Sequence, residues 1–231
     1  MAQEATPKVE TILLDAGGVL LDLDYGYLRR LIEAQHREVE ERDLSRLESI
    51  ARRDVHERIL DGATINEMWR EYFEIILARA GVPEVARSTI VDSLWEAHER
   101  FGLWTVAIEG GPETMIELKK AGYRLGVVSN AEGRVARDLE SAGYEGLFET
   151  VVDSHIVGVQ KPDPGIFAIA MERMGVRASG TIYVGDVPAV DVEGARAAGL
   201  RPILLDRHDL YPDLDVQRLS AIGDLPAYLS D

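Results

Sequence analysis

The spacing of apolar residues changes along the chain and divides it into three stretches. Residues 9–14 (VETILL) form a short apolar, partly β-branched run that ends at Asp15 and a Gly-Gly pair. This pattern is typical of a buried strand that leads into a turn. From about Tyr25 to Phe101, apolar residues recur at helical spacing among many charged ones, and no convincing strand interrupts them. We therefore expect several helices packed on one another in this middle stretch.

After Pro112 the pattern alternates between helix and strand. A glycine follows each predicted helix, where it suits the C-terminal cap. The predicted helices cover residues 112–121, 134–142, 166–174 and 190–198, and the predicted strands cover 124–128, 150–152, 181–184 and, as the last one, 202–205. This alternation predicts an α/β fold with a doubly wound parallel sheet and helices on both faces. The helical stretch is then an inserted domain at 25–105, and residues 1–24 and 106–231 form the core domain.

The charge and the residue types of the chain exclude several kinds of function. The 231 residues carry a net charge of −16, which disfavours binding to nucleic acid or to anionic lipid. A phosphorylated small molecule would also be repelled unless a metal, a lysine or a helix N-terminus attracted it locally. The absence of cysteine excludes disulfides, thiolate chemistry and cysteine metal sites. Since no segment approaches ~20 consecutive apolar residues and no signal peptide is evident, we expect a cytoplasmic protein.

Polar residues stand directly after most of the predicted strands. Because ligands of open parallel sheets bind beyond the carboxyl ends of the strands, these residues are candidates for a site. Taken singly, each is equally well explained as a turn or helix-cap residue, but Lys161 and Asp191 add chemistry to the group. The residues that follow the strands are Asp15, Ser129-Asn130, Asp186 and Asp206. We expect Asp206, which follows the last predicted strand, to belong to a loop rather than to the site.

Four segments resemble the motifs of the haloacid dehalogenase-like hydrolase superfamily, and they occur in the family's order over residues 9–199. TILLDAGGVLLD is similar to the first motif, GVVSN to the second, GVQKPDPGIF to the third and VGDVPAVDVEGARAAG to the fourth. The helical stretch stands where the family places its cap. The resemblance thus implies a Rossmann-like core with an α-helical cap domain.

The resemblance also implies a phosphatase that acts on a small phosphorylated metabolite. Asp15 would be the nucleophile that forms an aspartyl-phosphate, which splits hydrolysis into two easier steps. Lys161 would offset the charge that develops in the transition state. The implied phosphate contacts are Lys161, Ser129, Asn130 and the backbone around Gly17 and Gly18.

A magnesium ion is implied as the cofactor. Mg²⁺ requires hard oxygen ligands and keeps several waters. The implied ligands are the carboxylates of Asp15 and Asp186 and the Gly17 carbonyl, with Asp191 close by or acting through water. Asp186 and Asp191 stand five residues apart across a turn into a helix, which allows both to face one ion.

Gly17 departs from the family pattern. Most phosphatases of the family have an aspartate there, which protonates the leaving oxygen, and a general acid–base contributes roughly 10²–10⁴ in rate. Three interpretations stay open: a good leaving group such as an anomeric or acyl phosphate, a substitute such as water, Asp22, Asp24 or a cap residue, or a poor enzyme or none. The pattern Asp-x-Gly-x-Val-x-x-Asp-x-Asp resembles a subgroup regarded as sugar-phosphate phosphatases, which favours the first two.

Other functions on this fold fit less well or stay as alternatives. A metal-free haloacid dehalogenase usually has an aromatic residue at position 17, and a phosphonatase needs a cap lysine, which the chain lacks between Lys8 and Lys119. A non-catalytic binding or regulatory protein is the alternative that Gly17 motivates.

The chain could be a monomer or a homodimer. Five residues of the helical stretch either line the substrate or serve only packing and solvation: Arg52, Arg53, His56, Trp69 and Tyr72.

Overall fold

The structure is a computed structural model, and it describes residues 9–35, 38–59 and 65–230. The chain divides into two compact units, which we call the core unit (Met1–Leu21 and Ala107–Asp231) and the helical unit (Asp22–Val106). The functional domains at 1–24 with 106–231 and at 25–105 stay a prediction. In the part of the chain that the structure describes, no helix is long and apolar enough to cross a membrane.

The core unit contains a six-stranded parallel sheet. Its strands are β1 (Thr11–Leu14), β4 (Arg124–Ser129), β5 (Thr150–Asp153), β6 (Thr181–Gly185), β7 (Arg201–Leu205) and β8 (Gln217–Leu219). They lie in the order β5-β4-β1-β6-β7-β8. β1 lies between β4 and β6, with Leu13 opposite Gly126 on one side and Tyr183 on the other. A strand buried on both faces needs a continuous apolar run rather than an alternating one, and Ile12–Leu14 provide it. The predicted α/β fold with a parallel sheet is confirmed.

The helices of the core unit follow the strands in alternation. They are α5 (Gly111–Lys120), α6 (Val135–Leu139, continued by a π-helical segment Glu140–Tyr144), α7 (Ser154–Val157), α8 (Pro164–Met174), α9 (Glu193–Ala197, preceded by a π-helical segment Pro188–Val192) and α10 (Leu225–Ser230). The four predicted helices and the predicted strands are therefore present. The prediction that residues 202–205 form the last strand is wrong, because β8 pairs with β7 at the sheet edge. β8 has only three residues, two of them polar, so it carries no strand pattern.

In its described residues, the helical unit contains four helices around an apolar core. They are α1 (Tyr25–Glu33), α2 (Glu41–Ile59), α3 (Ile65–Arg79) and α4 (Glu84–Phe101). Trp69 and Tyr72 are buried in this core, where each ring packs against Phe73 with centroids 4.5 and 4.9 Å away. Helix packing thus explains the apolar surface of both side chains, which is the interpretation that assigns them no contact with substrate.

Both arginines considered as substrate contacts have acidic partners within the helical unit. Arg52 pairs with the buried carboxylate of Glu48, which also accepts a hydrogen bond from the Tyr72 hydroxyl. Arg53 pairs with Asp54. The side chain of His56, the remaining candidate, lies outside the described residues.

The chain passes between the two units in two short strands that pair with each other. They are β2 (Leu21–Leu23) and β3 (Trp104–Ala107), which form a separate two-stranded sheet. Neither strand was predicted from the sequence, because three or four residues are too few to establish an alternating pattern.

Candidate active site

The candidate site lies at the carboxyl ends of the three central strands of the core unit. β1 ends one residue before Asp15, β4 ends at Ser129, and β6 ends one residue before Asp186. The Asp15 N–H donates to the Val184 carbonyl over 2.9 Å, so the ladder between β1 and β6 continues to the predicted nucleophile. Because neighbouring parallel strands end at the same edge, the fold itself collects these side chains.

The loop that follows Asp15 is held by its own backbone and by Tyr144. The Ala16 carbonyl accepts from the N–H groups of Leu20 and Leu21, both over 2.8 Å, and the buried Tyr144 hydroxyl donates to the Leu20 carbonyl over 2.7 Å. Gly18 has φ +81°, a left-handed conformation that favours glycine. Its N–H, predicted to contact phosphate, donates to the Leu21 carbonyl over 2.8 Å, so it shapes the loop.

Lys161 lies at the centre of the candidate site and is buried. Its Nζ is 2.9 Å from Asp15 Oδ1, 2.8 Å from Asp191 Oδ1 and 2.8 Å from the Tyr183 hydroxyl. Its side chain is only 1% exposed, which excludes the alternative of a solvated surface lysine. The structure therefore brings together Asp15, Lys161 and Asp191, as the motifs predicted.

The electrostatics of this group reflect two carboxylates that share one ammonium. Burial raises the pKa of Asp15. The Lys161 ammonium lowers this pKa, the Asp191 carboxylate raises it, and the net result is a raised pKa. Burial alone would lower the pKa of Lys161, but the carboxylates of Asp15 and Asp191 outweigh it and raise that pKa. Burial alone would raise the pKa of Asp191, but the ammonium and the hydrogen bonds bring it below its ordinary value. Asp191 is thus the more strongly stabilised anion.

Asp191 is hydrogen-bonded at both carboxylate oxygens. Oδ2 accepts from the N–H groups of Asp186 and Val187 over 3.0 and 2.8 Å, and Oδ1 faces Lys161 and Tyr183. The carboxylate packs so closely that a Cβ added at Gly185 would lie 2.3 Å from the Asp191 Cβ. Since a carboxylate has about four lone-pair directions, Asp191 is fully engaged by the protein. The carboxylate thereby holds the loop that carries Asp186, and its predicted place at a metal site, directly or through water, stays a prediction.

The acidic residues fit a divalent cation. Carboxylate oxygens of Asp15, Asp186 and Asp191 lie within 4.8 Å of one another. Together with Lys161 these groups have a formal charge of −2, which one divalent ion would neutralise, and carboxylate oxygens are the hard ligands that Mg²⁺ takes. Gly17, the fourth predicted ligand, lies in the loop after Asp15, where its backbone forms an isolated β-bridge with Leu21. Its role as a metal ligand stays a prediction.

The two predicted phosphate contacts after β4 differ in their surroundings. Ser129 is buried at the end of β4. The Asn130 amide is engaged at both ends, since Oδ1 accepts from the Lys161 N–H over 2.7 Å and Nδ2 donates to the Lys161 carbonyl over 2.9 Å. A phosphate contact for Ser129 stays a prediction, whereas the Asn130 side chain holds the backbone of Lys161.

Tyr183 belongs to this group although it was not predicted from the sequence. The signal available was a single tyrosine in the otherwise small and aliphatic strand TIYVG, and an aromatic residue there is also what a packed core needs. Asp206, which follows β7, accepts from the N–H groups of Leu210 and Tyr211 and pairs with Arg218. It is a loop residue, as predicted.

The substitutes considered for the missing acid–base group lie in the helical unit. Asp24 caps α1, where its carboxylate accepts from the Tyr27 N–H over 2.7 Å. Asp22 lies in β2 and has interactions of its own. A catalytic role for either residue stays a prediction.

The family model described as "haloacid dehalogenase-like hydrolase" matches residues 9–199, which include every candidate residue of the core site. The chain is 33% identical over 145 residues to mouse haloacid dehalogenase-like hydrolase domain-containing protein 3, a match that covers 62% of this chain and 57% of that protein. It is 31% identical over 157 residues to a phosphoserine phosphatase of Thermus thermophilus, covering 68% of this chain and 61% of the relative.

A glyceraldehyde 3-phosphate phosphatase of Methanopyrus kandleri is 29% identical over 159 residues, covering 66% of this chain and 65% of that protein. The chain thus spans less than two thirds of the length of these three relatives. Among solved structures, the HAD-hydrolase YfnB of Bacillus subtilis, bound to magnesium, superposes with a TM-score of 0.70 at 21% identity and covers 97% of this chain and 100% of its own. At this identity the likeness concerns the fold.

Proposed function

Because the chain belongs to the haloacid dehalogenase-like hydrolase family, we propose that it is a Mg²⁺-dependent phosphatase of a small phosphorylated metabolite. The observation that carries the proposal is the buried group in which Lys161 Nζ lies 2.9 Å from Asp15 Oδ1 beside the acidic cluster. A metal held by Asp15 and Asp186 would supply charge neutralisation for the incoming phosphate.

Asp15 is the proposed nucleophile. Among the described residues, its protein hydrogen bonds go to Oδ1, from the Ala16 N–H over 2.7 Å and from Lys161, which leaves Oδ2 for attack on phosphorus. Attack forms an aspartyl-phosphate and releases the ester oxygen. Water then hydrolyses the acyl phosphate to inorganic phosphate and restores the carboxylate. Lys161 and Ser129 would bind the phosphoryl oxygens.

The nature of the substrate follows from Gly17. With no carboxylic acid at this position, the leaving oxygen has to depart with little protonation or take its proton from water or another group. We therefore propose an anomeric sugar phosphate or an acyl phosphate as the preferred class. The relatives named phosphoserine phosphatase and glyceraldehyde 3-phosphate phosphatase support a small phosphorylated substrate.

A panel of sugar, acyl and alkyl phosphates, assayed for phosphate release with Mg²⁺ and with a chelator, tests the proposal. We expect metal-dependent release that favours anomeric and acyl phosphates over alkyl phosphates by about 10²-fold or more, the size of a missing general acid. The matched control is Gly17→Asp. Its new carboxyl group supplies the missing acid, so the rate of release from alkyl phosphates should rise toward the rates for anomeric and acyl phosphates.

Release that persists fully in chelator would contradict the metal dependence. No release from any compound, with Gly17→Asp equally silent, would favour the alternative that the chain is a non-catalytic binding protein on the same fold. Halide release from a haloacid in chelator would instead indicate a metal-free dehalogenase.

A further inference from the structure

Tyr183 is an aromatic core residue with its hydroxyl in the candidate active site. Its side chain is fully buried in the middle of β6, and its ring packs edge-on against Phe167 with centroids 4.9 Å apart. The hydroxyl oxygen lies 2.8 Å from Lys161 Nζ, 3.1 Å from Asp191 Oδ1 and 3.1 Å from the Val128 carbonyl oxygen. The hydroxyl therefore touches both charged groups that surround the proposed nucleophile without touching Asp15 through a hydrogen bond.

The direction of these hydrogen bonds follows from the chemistry of the groups. An ammonium can only donate, so the Tyr183 oxygen accepts from Lys161. The single phenolic proton can serve only one acceptor at a time, and the ionised carboxylate of Asp191 is a stronger acceptor than the neutral carbonyl of Val128. The result is a continuous chain from the Lys161 ammonium through the Tyr183 hydroxyl to Asp191.

This chain completes the set of acceptors around the Lys161 ammonium. Its three N–H groups face three acceptors, which are Asp15, Asp191 and Tyr183. Three acceptors at fixed positions determine both the place and the rotation of an ammonium group. Without the hydroxyl, two carboxylate oxygens alone would hold the group, and it could turn and shift between them.

We propose that Tyr183 is a positioning residue for the phosphatase reaction, whose hydroxyl holds Lys161 in the orientation that stabilises the transferring phosphoryl group. This inference rests on the proposed function. A displacement of about 1 Å in a catalytic group can cost on the order of 10²-fold in rate, so the hydroxyl acts on turnover even though it contacts no substrate.

A purely structural role for the hydroxyl has different consequences. A buried tyrosine usually finds a hydrogen-bond partner, and Tyr183 could simply use the acceptors at hand. In that case its loss would lower the stability of the fold and leave turnover intact. The two roles are therefore separated by kcat measured on the folded protein.

The experiment compares Tyr183→Phe with the wild type on the best substrate of the panel at saturating Mg²⁺. We expect kcat to fall about 10- to 100-fold while KM changes by less than about threefold, because a displaced Lys161 ammonium stabilises the charge of the transition state less well. Phe167→Leu is the matched control. It disturbs the same ring packing without touching Lys161, so it should lower stability and leave kcat unchanged.

The possible outcomes separate this inference from the proposed function. An active wild type whose kcat is unaltered by Tyr183→Phe overturns the positioning role alone, as does an equal fall of kcat in Phe167→Leu. A wild type that releases no phosphate from any compound overturns the proposed function and this inference with it.

Discussion

Replacing Asp15 with asparagine is expected to lower phosphate release about 10⁴- to 10⁶-fold, the scale seen when an enzyme loses its nucleophile. Asparagine keeps the shape of the side chain and can still accept from Ala16 and Lys161, but its amide cannot form the acyl phosphate. The measurement is single-turnover and steady-state phosphate release with Mg²⁺ on the best substrate of the panel.

The Asp15→Asn protein should stay folded. Because burial raises the pKa of Asp15 in the folded chain above its ordinary value, the ionised carboxylate opposes folding at neutral pH, and its removal costs no stability from this source. Asp206→Asn is the matched control, since it removes a buried carboxylate after another strand of the same sheet. Activity retained in Asp15→Asn, or lost equally in a folded Asp206→Asn, would contradict the assignment.

Replacing Lys161 with methionine is expected to affect both activity and stability. Turnover should fall about 10³-fold, because the positive group that offsets transition-state charge is lost. The buried carboxylates of Asp15 and Asp191 also lose their common partner, and breaking a buried ion pair from one side costs about 3–5 kcal/mol. Urea denaturation in chelator at neutral pH, together with the phosphate assay, measures both effects.

The pH dependence of the stability loss distinguishes charge from packing. The pKa of Asp191 is lowered in the wild type, so its contribution to stability is present above its ordinary pKa and disappears as the pH falls through the lowered value. In Lys161→Met the carboxylates of Asp15 and Asp191 have lost the ammonium, and they take up protons as the pH decreases. The difference in unfolding free energy between the two proteins should therefore shrink toward acid pH, and a difference independent of pH would indicate lost packing.

The fold and most of the candidate site follow from the sequence because they depend on local patterns. Ile12, Leu13 and Leu14 are consecutive apolar residues because β1 is buried on both faces, and residues directly after parallel strands meet at one edge of the sheet. Asp15 and Asp186 could thus be placed beside each other from strand ends alone. Lys161 follows no strand, and only its motif indicated that it belongs to the site.

The features that sequence analysis missed depend on side-chain contacts between distant segments. β8 is specified by its pairing with β7 and not by its own three residues. The Asn130 amide could contact phosphate or backbone, and only the structure shows that it holds the Lys161 backbone. Tyr183 looks like an ordinary core aromatic in the sequence, because nothing local shows that its hydroxyl meets Lys161 and Asp191.

In the proposed reaction a phosphoryl group passes through Asp15, and trapping it there tests the reaction at its defining step. The chain would be mixed with its best phosphorylated substrate and Mg²⁺, quenched in acid during turnover and digested, and its peptides analysed by mass spectrometry. We predict a phosphoryl group on the peptide that contains Asp15, and none when Asp15→Asn is treated in the same way. Steady turnover with no phosphorylated peptide, or with the phosphoryl group on another residue, would contradict the account.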